Sequence, residues 1–194
     1  MQPEIQKNQL NVSKTVVVVG AGATGMGCAL TVAMSGLKVI LVEKTRKPGG
    51  TVRQALIHTI GGLFDDQGEL INQGLSAELT ERLIQTSPQT KKRRIGKTWV
   101  LDVDPEHYTQ VVTEWLATTT GISARYQTEI THIAAQNTYI NEVTIHGNND
   151  QTLTLQPRAL VDATGNANIV RLIDATLVDK GMALGVLYFI LAQY

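Results

Sequence analysis

The sequence predicts an α/β protein built on a parallel sheet. Two apolar runs, residues 15–22 and 37–44, flank a stretch of small residues with the length of a short helix. A strand, a helix and a strand in this order form a βαβ unit, in which the strands are parallel and the crossover is right-handed. Further strand-like segments follow in the last third of the chain, which predicts a β-meander that returns to the first sheet.

The βαβ unit is expected over residues 15–44. TVVVVGAG places four valines before a glycine, as in a strand buried on both faces. ATGMGCALTVAMSG has the small residues of a helix packed closely on a sheet, and LKVILVEK is the second buried strand. Residues 16–42 are apolar enough to resemble a membrane span, but their glycines and Lys38 favour the βαβ interpretation.

The remaining elements are less regular. Residues 45–68 contain two Gly-Gly pairs and predict a loop with a short helix. ELINQGLSAELTERLIQTS has helical spacing, PQTKKRRIGKT is a polar basic connection and WVLDV is a short strand. The next helix is well marked, because Asp104 can cap it, Pro105 takes its first position and Gly121 closes it. ISARYQTEITHIAAQ, YINEVTIHG and QTLTLQPRALVDAT supply the strands of the meander.

Composition excludes several classes of protein. The chain has 194 residues, enough for one domain or for one domain and part of another, and its 43% apolar content excludes a disordered chain. Lys+Arg and Asp+Glu number 17 each, so charge gives no reason to expect a nucleic acid or an anionic membrane as partner. The polar residues 1–14 lack the apolar core of a signal peptide, and a cytoplasmic protein without a membrane span is expected.

Metal-binding and nucleophilic residues are sparse. The single cysteine, Cys28, excludes an internal disulfide and a cysteine-based metal cluster, and it is expected to be a packing residue. The four histidines are scattered without the spacing of metal ligands, so no metal site is expected. The basic run at residues 91–94 is interpreted as a solvated loop, with an anion or partner site as the alternative.

The first motif is G-x-G-x-x-G over residues 20–25, between the predicted strand and the predicted helix. Gly20 permits the tight turn, Gly22 lets the backbone approach a pyrophosphate, and Gly25 lets the helix pack closely on the strand. The helix N-terminus then offers free N–H groups and a positive dipole end to the phosphates. This combination predicts a dinucleotide site.

Three further motifs follow. Glu43 ends the second strand, where a carboxylate accepts hydrogen bonds from an adenosine ribose and repels a 2′-phosphate, so NADP is disfavoured. The glycine pair Gly49-Gly50 leaves room for a dinucleotide larger than NAD. Residues 159–165, ALVDATG, form a buried strand whose small-residue turn lies at the ligand edge of the sheet.

In this order the motifs resemble the glutathione-reductase-type, two-dinucleotide-binding superfamily of FAD-dependent oxidoreductases, from about residue 15 to about residue 173. The resemblance implies a Rossmann-like FAD-binding domain over residues 15–178, after a polar segment 1–14. It implies that Gly20, Gly22 and Gly25 line the FAD pyrophosphate, that Glu43 holds the adenosine ribose, and that Thr164 and Gly165 close over the adenosine and pyrophosphate. It places Lys44 beside adenine, the backbone of Ile130 against adenine, and Gly49, Gly50 and Thr51 near the ribityl chain. The cofactor-binding residues also include Ala23, Thr24 and Ala163.

The sequence departs from the family pattern in two places. Asn166 stands where the family usually has Asp, which is a minor change because an amide still forms hydrogen bonds. Residues 179–194, which carry no charged side chain from Gly181 onward, resemble the first strand of a substrate domain that is otherwise missing. We therefore expect a split enzyme, in which a second polypeptide supplies the substrate domain and the remaining flavin contacts; a truncated fragment is the alternative.

Two functions are consistent with these features. The first is an FAD-binding subunit of a hetero-oligomeric oxidase or dehydrogenase that removes hydride from a C–H next to nitrogen or oxygen of a small molecule. The second is a non-catalytic subunit that binds NAD or ADP. His58 is a weak catalytic candidate and Arg53 and Gln54 are weak flavin or substrate contacts, because all three lie in the glycine-rich loop.

Overall fold

The computed structural model describes residues 15–178 except 56, 137, 138 and 149, together with the backbone of 190–192. The strands are β1 (Thr15–Val19), β2 (Lys38–Glu43), β3 (Thr59–Ile60), β4 (Lys91–Ile95), β5 (Thr98–Asp102), β6 (Ile122–Tyr126), β7 (Thr128–Gln136), β8 (Tyr139–Gly147), β9 (Thr152–Leu155), β10 (Ala159–Asp162) and β11 (Ile190–Ala192). The helices are α1 (Ala23–Met34), α2 (Gly50–Gln54), α3 (Leu75–Thr86), α4 (Pro105–Thr118) and α5 (Asn168–Ile173), with a 3₁₀ turn at Ala175–Leu177. The chain divides into two compact units, the second of which is Lys47–Thr118.

The first unit contains the parallel sheet that the sequence predicts. Its strand order is β11-β10-β1-β2-β6, and β10, β1, β2 and β6 are parallel. The βαβ unit is confirmed as β1, α1 and β2, so residues 16–42 form two largely buried strands and a helix that packs on them. No helix in the described part of the chain is long and apolar enough to cross a membrane. The backbone of β11 pairs antiparallel with β10.

Both faces of this sheet are covered, as a continuous valine run requires. Alternate residues along a strand point to opposite faces. Val17, Ile40 and Leu160 belong to a buried cluster that also contains Val143 and Ile145 of the meander. Helix α1 packs on the strands with its buried small and apolar residues. The first two strands are therefore held between a helix and a second sheet.

The meander is confirmed as a separate antiparallel sheet, β7-β8-β9. One part of the expectation is corrected, because ISARYQTEITHIAAQ forms two strands in two different sheets. Its first half is β6, which pairs in parallel with β2, and its second half is β7. The break falls at Gln127, whose positive φ of 52° turns the chain between the sheets.

The second unit contains α2, α3, α4 and the antiparallel sheet β3-β5-β4. The basic run that the sequence analysis interprets as a loop is instead the edge strand β4, paired with β5. Its cations have partners that stabilise this strand: Arg93 forms an ion pair with Asp102. Lys92 and Arg94 lie 5.4 Å and 5.9 Å from the Trp99 ring centroid. Charged residues on an exposed edge also oppose pairing with other chains.

The N-terminus of α4 is capped as predicted. The Asp104 carboxylate accepts hydrogen bonds from the backbone N–H of Glu106 (3.0 Å) and His107 (2.9 Å), and it lies 3.0 Å from Nδ1 of His107. The hydrogen bond from the His107 backbone is the main cause that holds the pKa of Asp104 below its ordinary value of 3.8. A lowered carboxyl pKa stabilises the folded state above the unfolded pKa, and this contribution is lost as the pH falls through the folded pKa.

We expect Asp104→Ala to lower the free energy of unfolding by about 1 kcal/mol at pH 7, because the helix loses its cap. The deficit should shrink in acid, since the wild-type carboxyl is then protonated and accepts these bonds less well. Urea unfolding at a series of pH values from 7 down through the folded pKa, which lies below 3.8, measures both effects. The control is Asp66→Ala, which removes an exposed carboxylate from the same unit. Equal losses for the two variants would contradict the capping role.

Candidate dinucleotide site

The glycine turn is closed by contacts that admit no side chain. Gly20 has φ +100°, and its N–H donates a 2.7 Å hydrogen bond to the carbonyl oxygen of Val42. A Cβ on Gly20 would lie 2.4 Å from the carbonyl oxygen of Ala163. A Cβ on Gly25 would lie 1.7 Å from the carbonyl oxygen of Gly20. These two glycines are therefore required by close backbone approach.

The N-terminus of α1 has the character of an anion site. Its N-cap residue, Gly22, forms no side-chain capping bond, and the first turn contains no acidic residue. Ala23 is exposed and Thr24 is half-buried. The positive end of the helix dipole is thus not neutralised by a carboxylate of this turn, which suits a phosphate group.

Glu43 is buried, with 5% of its surface exposed, and it is fixed by three donors. Its Oε2 accepts from the Ala21 N–H at 2.7 Å, and its Oε1 accepts from the N–H and Oγ of Thr45, each at 2.8 Å. The end of β2 is therefore fastened to the glycine turn. Because a carboxylate has about four lone-pair sites, Glu43 retains capacity for a further donor such as a ribose hydroxyl.

Asp162 shapes the turn after β10. It is 4% exposed and accepts four hydrogen bonds. Two come from the N–H (3.0 Å) and Oγ (2.6 Å) of Thr164, and two come from the N–H groups of Ile169 (2.9 Å) and Val170 (3.2 Å) at the start of α5. The motif ALVDATG contains Asp162, but the sequence alone assigns it no role. In the structure its four hydrogen bonds fix the shape of this turn.

The structure brings three of the predicted groups to one edge of the first unit. The glycine turn, Glu43 and the turn from Ala163 to Gly165 all follow the carboxyl ends of adjacent parallel strands. The Ala163 N–H also donates to the Val19 carbonyl oxygen at 2.8 Å. Ligands of open α/β sheets bind at this edge. These residues fit the ADP half of a dinucleotide, because they offer a helix N-terminus, a close backbone approach and a fixed carboxylate.

The two residues predicted to contact adenine, Lys44 and Ile130, differ in the exposure of their side chains. Lys44 is exposed after the end of β2. The side chain of Ile130 is buried in the meander cluster, so only its backbone on β7 is suited to a ligand, as the prediction requires. Their contacts to adenine stay predictions.

The other predicted residues belong to the second unit. Gly49 has φ +129° and precedes α2, where a Cβ would lie 3.0 Å from the Cβ of Arg53. Gly50 and Thr51 begin α2, and Thr51 is exposed. His58 is exposed, and its carbonyl oxygen accepts from the Val103 N–H at 2.8 Å. Their flavin or catalytic roles stay predictions. Across the described residues no cluster of three metal-ligating side chains occurs.

Two residues near Glu43, Tyr126 and Gln127, are not among those predicted from the sequence. Tyr126 is the in-register partner of Glu43 across β2 and β6. Burial, and then the negative charge of Glu43, raise the pKa of Tyr126. The N–H of Gln127 donates to the Thr45 carbonyl oxygen at 2.9 Å. The sequence ISARY indicates a strand, but it was predicted to belong to the meander. Its pairing with β2, which brings Tyr126 next to Glu43, was therefore not expected.

Comparison with known proteins gives a family match over most of the chain. Residues 15–178 match the family model described as FAD dependent oxidoreductase. Hydroxyneurosporene desaturase of Rubrivivax gelatinosus is 52% identical over 42 residues, which cover 22% of this chain and 8% of that protein. Phytoene desaturase of Neurospora crassa is 40% identical over 78 residues, which cover 39% of this chain and 13% of that protein. The chain thus spans a small part of these curated relatives.

Solved structures share the fold. A flavoprotein/dehydrogenase from Cytophaga hutchinsonii has a TM-score of 0.61 at 21% identity, with 88% of this chain and 44% of that chain covered. The THI4 protein of Thermovibrio ammonificans has a TM-score of 0.60 at 16% identity, with 84% and 62% covered. PqsL of Pseudomonas aeruginosa, a probable FAD-dependent monooxygenase, has a TM-score of 0.58 at 19% identity, with 86% and 46% covered. At these identities the likeness establishes the fold alone.

Proposed function

Because the chain belongs to the FAD-dependent oxidoreductase family, we propose that its first unit binds the ADP half of FAD. The observation that carries this proposal is the meeting of a closed glycine turn, an uncapped helix N-terminus and a buried carboxylate at one edge of a parallel sheet. Each of these features matches one part of ADP. The pyrophosphate suits the helix, and the ribose hydroxyls suit the carboxylate.

In this proposal each group acts through binding and orientation. Gly22, Ala23 and Thr24 hold the pyrophosphate at the start of α1, and Glu43 accepts a hydrogen bond from the ribose. Thr164 and Gly165 close over the adenosine and pyrophosphate. Gly49, Gly50 and Thr51 approach the ribityl chain. The support is the fixed geometry of Glu43 and Asp162, since a pre-oriented site loses little entropy when its ligand binds.

The proposed reaction is the oxidation of a small molecule at a C–H next to nitrogen or oxygen. Bound FAD would supply the capacity to accept a hydride from that carbon, and a side chain of the protein would take the proton from the neighbouring heteroatom. His58 is the candidate to accept that proton, since an imidazole is the side chain that most often acts as a general base in enzymes. Family membership supports flavin-dependent oxidation and reduction in general, and His58 is assigned this role because of its position in the glycine-rich loop.

A second polypeptide is a further part of the proposal, since the chain covers 62% or less of each solved structure named above. It would contribute the substrate pocket and the remaining flavin contacts. Co-expression with candidate chains, followed by size-exclusion chromatography with detection of flavin absorbance, tests this point. A flavin-loaded species of larger mass supports the partner. A flavin-loaded, catalytically active monomer contradicts it.

The ADP site is tested by titration of the full chain with ADP and with FAD. We expect Glu43→Gln to weaken ADP binding about 10- to 100-fold, because a charged hydrogen bond is lost and the new NH₂ faces N–H donors. The control, Glu129→Gln, changes an exposed glutamate on β7 and should bind as the wild type does. ADP or NAD binding without a flavin spectrum would favour the non-catalytic binding module. Absence of binding to ADP and FAD alike would refute the proposal.

A further inference from the structure

At the carboxyl end of β6, Tyr126 lies next to Glu43, the residue proposed to bind the ribose. Tyr126 and Glu43 are paired in register across two parallel strands, so their side chains lie on the same face of the sheet. Tyr126 is half-buried. Burial raises the pKa of Tyr126, and the negative charge of Glu43 raises it further, which agrees with the proximity of the two side chains. A ring in this position borders any nucleoside whose ribose is held by Glu43.

The next residue, Gln127, has an unusual backbone. Its φ of 52° lies in the left-handed region, which is disfavoured for a residue with a Cβ. A 2.9 Å hydrogen bond from its N–H to the Thr45 carbonyl oxygen holds this conformation, and Thr45 also donates to Glu43. Within the described part of the chain, the side-chain amide of Gln127 has no hydrogen-bond partner.

The presence of glutamine at position 127 indicates a role for its side chain, because glycine would adopt the same positive φ without strain. A strained residue that keeps an unpartnered amide beside a binding site is a candidate for ligand contact. An amide has both a donor and an acceptor, which matches the N6 and N7 groups of adenine. An aromatic ring offers a stacking surface to any base.

We propose that Tyr126 and Gln127 recognise the adenine base of the bound dinucleotide. Tyr126 supplies the stacking surface, and Gln127 selects adenine by hydrogen bonds to the edge of the base. This inference rests on the proposed function, because Glu43 must hold the ribose for the base to lie at the end of β6. It adds side-chain determinants of base specificity to the adenine contacts that the sequence predicts for Lys44 and for the backbone of Ile130.

The test is calorimetric titration of the full chain with ADP and GDP. We expect wild-type protein to bind ADP about 10-fold more tightly than GDP or better, as expected for selective recognition of a base edge. Gln127→Gly keeps the turn but removes the amide, so its preference should fall to about two-fold or less. Tyr126→Ala should weaken both nucleotides about 5-fold or more, whereas Tyr126→Phe keeps the ring and binds as the wild type does.

Gln156→Ala, which changes an exposed glutamine outside this loop, is the matched control and should retain the wild-type preference. Circular dichroism checks that each variant is folded. The inference is overturned if Gln127→Gly keeps the adenine preference, if Tyr126→Ala binds ADP normally, or if wild-type protein does not distinguish the nucleotides. Failure of wild-type protein to bind ADP and FAD at all would overturn the proposed function as well, which separates the two failures.

Discussion

Gly25→Ala is expected to abolish ADP and FAD binding and to lower the free energy of unfolding by about 3 kcal/mol or more. The added Cβ would lie 1.7 Å from the carbonyl oxygen of Gly20 and 3.4 Å from the Cβ of Ala163. The first of these atoms belongs to the backbone of the glycine turn, so a change of side-chain rotamer does not relieve the overlap. Helix α1 must move away from the turn, and the proposed pyrophosphate site is lost.

Gly27→Ala is the matched control, because it makes the same change two residues further along α1. Apart from its chain neighbours and the backbone of its own helix, a Cβ at Gly27 would have no described heavy atom within 4 Å. This variant should be as stable as the wild type, or up to about 1 kcal/mol more stable, since alanine has the higher helix propensity. Urea unfolding and ADP titration of both variants measure the difference. If Gly25→Ala bound ADP like Gly27→Ala, the close-approach interpretation would be wrong.

Asp162→Ala is expected to lower the free energy of unfolding by about 3–5 kcal/mol. The substitution leaves the N–H groups of Ile169 and Val170 without their buried acceptor and frees both donors of Thr164. The turn that carries Thr164 and Gly165 then loses its fixed shape. A weaker affinity for ADP should accompany the loss of stability, measured by titration at a temperature where the variant is folded.

The chain contains a matched control for this substitution. Asp174 forms the same two-residue turn, in which its Oδ1 accepts from the N–H (2.8 Å) and Oγ (2.6 Å) of Thr176, but it is exposed. We expect Asp174→Ala to be nearly as stable as the wild type and to bind ADP unchanged, because water replaces the lost acceptor at this exposed position. Similar losses for the two variants would contradict the role assigned to Asp162.

Asp162 and Glu43 act in the same way at two points of the site. Each is a buried carboxylate whose oxygens are occupied mainly by backbone donors. Together they fix the two turns that follow β2 and β10. These hydrogen bonds within the first unit fix the shape of its proposed ligand-binding edge.

The sequence by itself determined the βαβ unit, the parallel sheet, the meander and the dinucleotide motif. Their signals are local, since a run of valines, a glycine at a tight turn and a carboxylate at a strand end each act over a few residues. The fold class is confirmed for that reason. The family resemblance from the same motifs agrees with the match over residues 15–178.

The tertiary structure decided which strands are neighbours. Only the pairing of β6 with β2 brings Tyr126 beside Glu43, and only the packing of the turn after β10 against Gly20 makes that glycine obligatory. The basic residues 91–94 form a strand and not a loop, because Arg93 pairs with Asp102 and Arg94 packs over Trp99 across the β4–β5 hairpin. These outcomes depend on contacts between segments distant in sequence or on hydrogen bonds formed after packing, so residue order and periodicity could not reveal them.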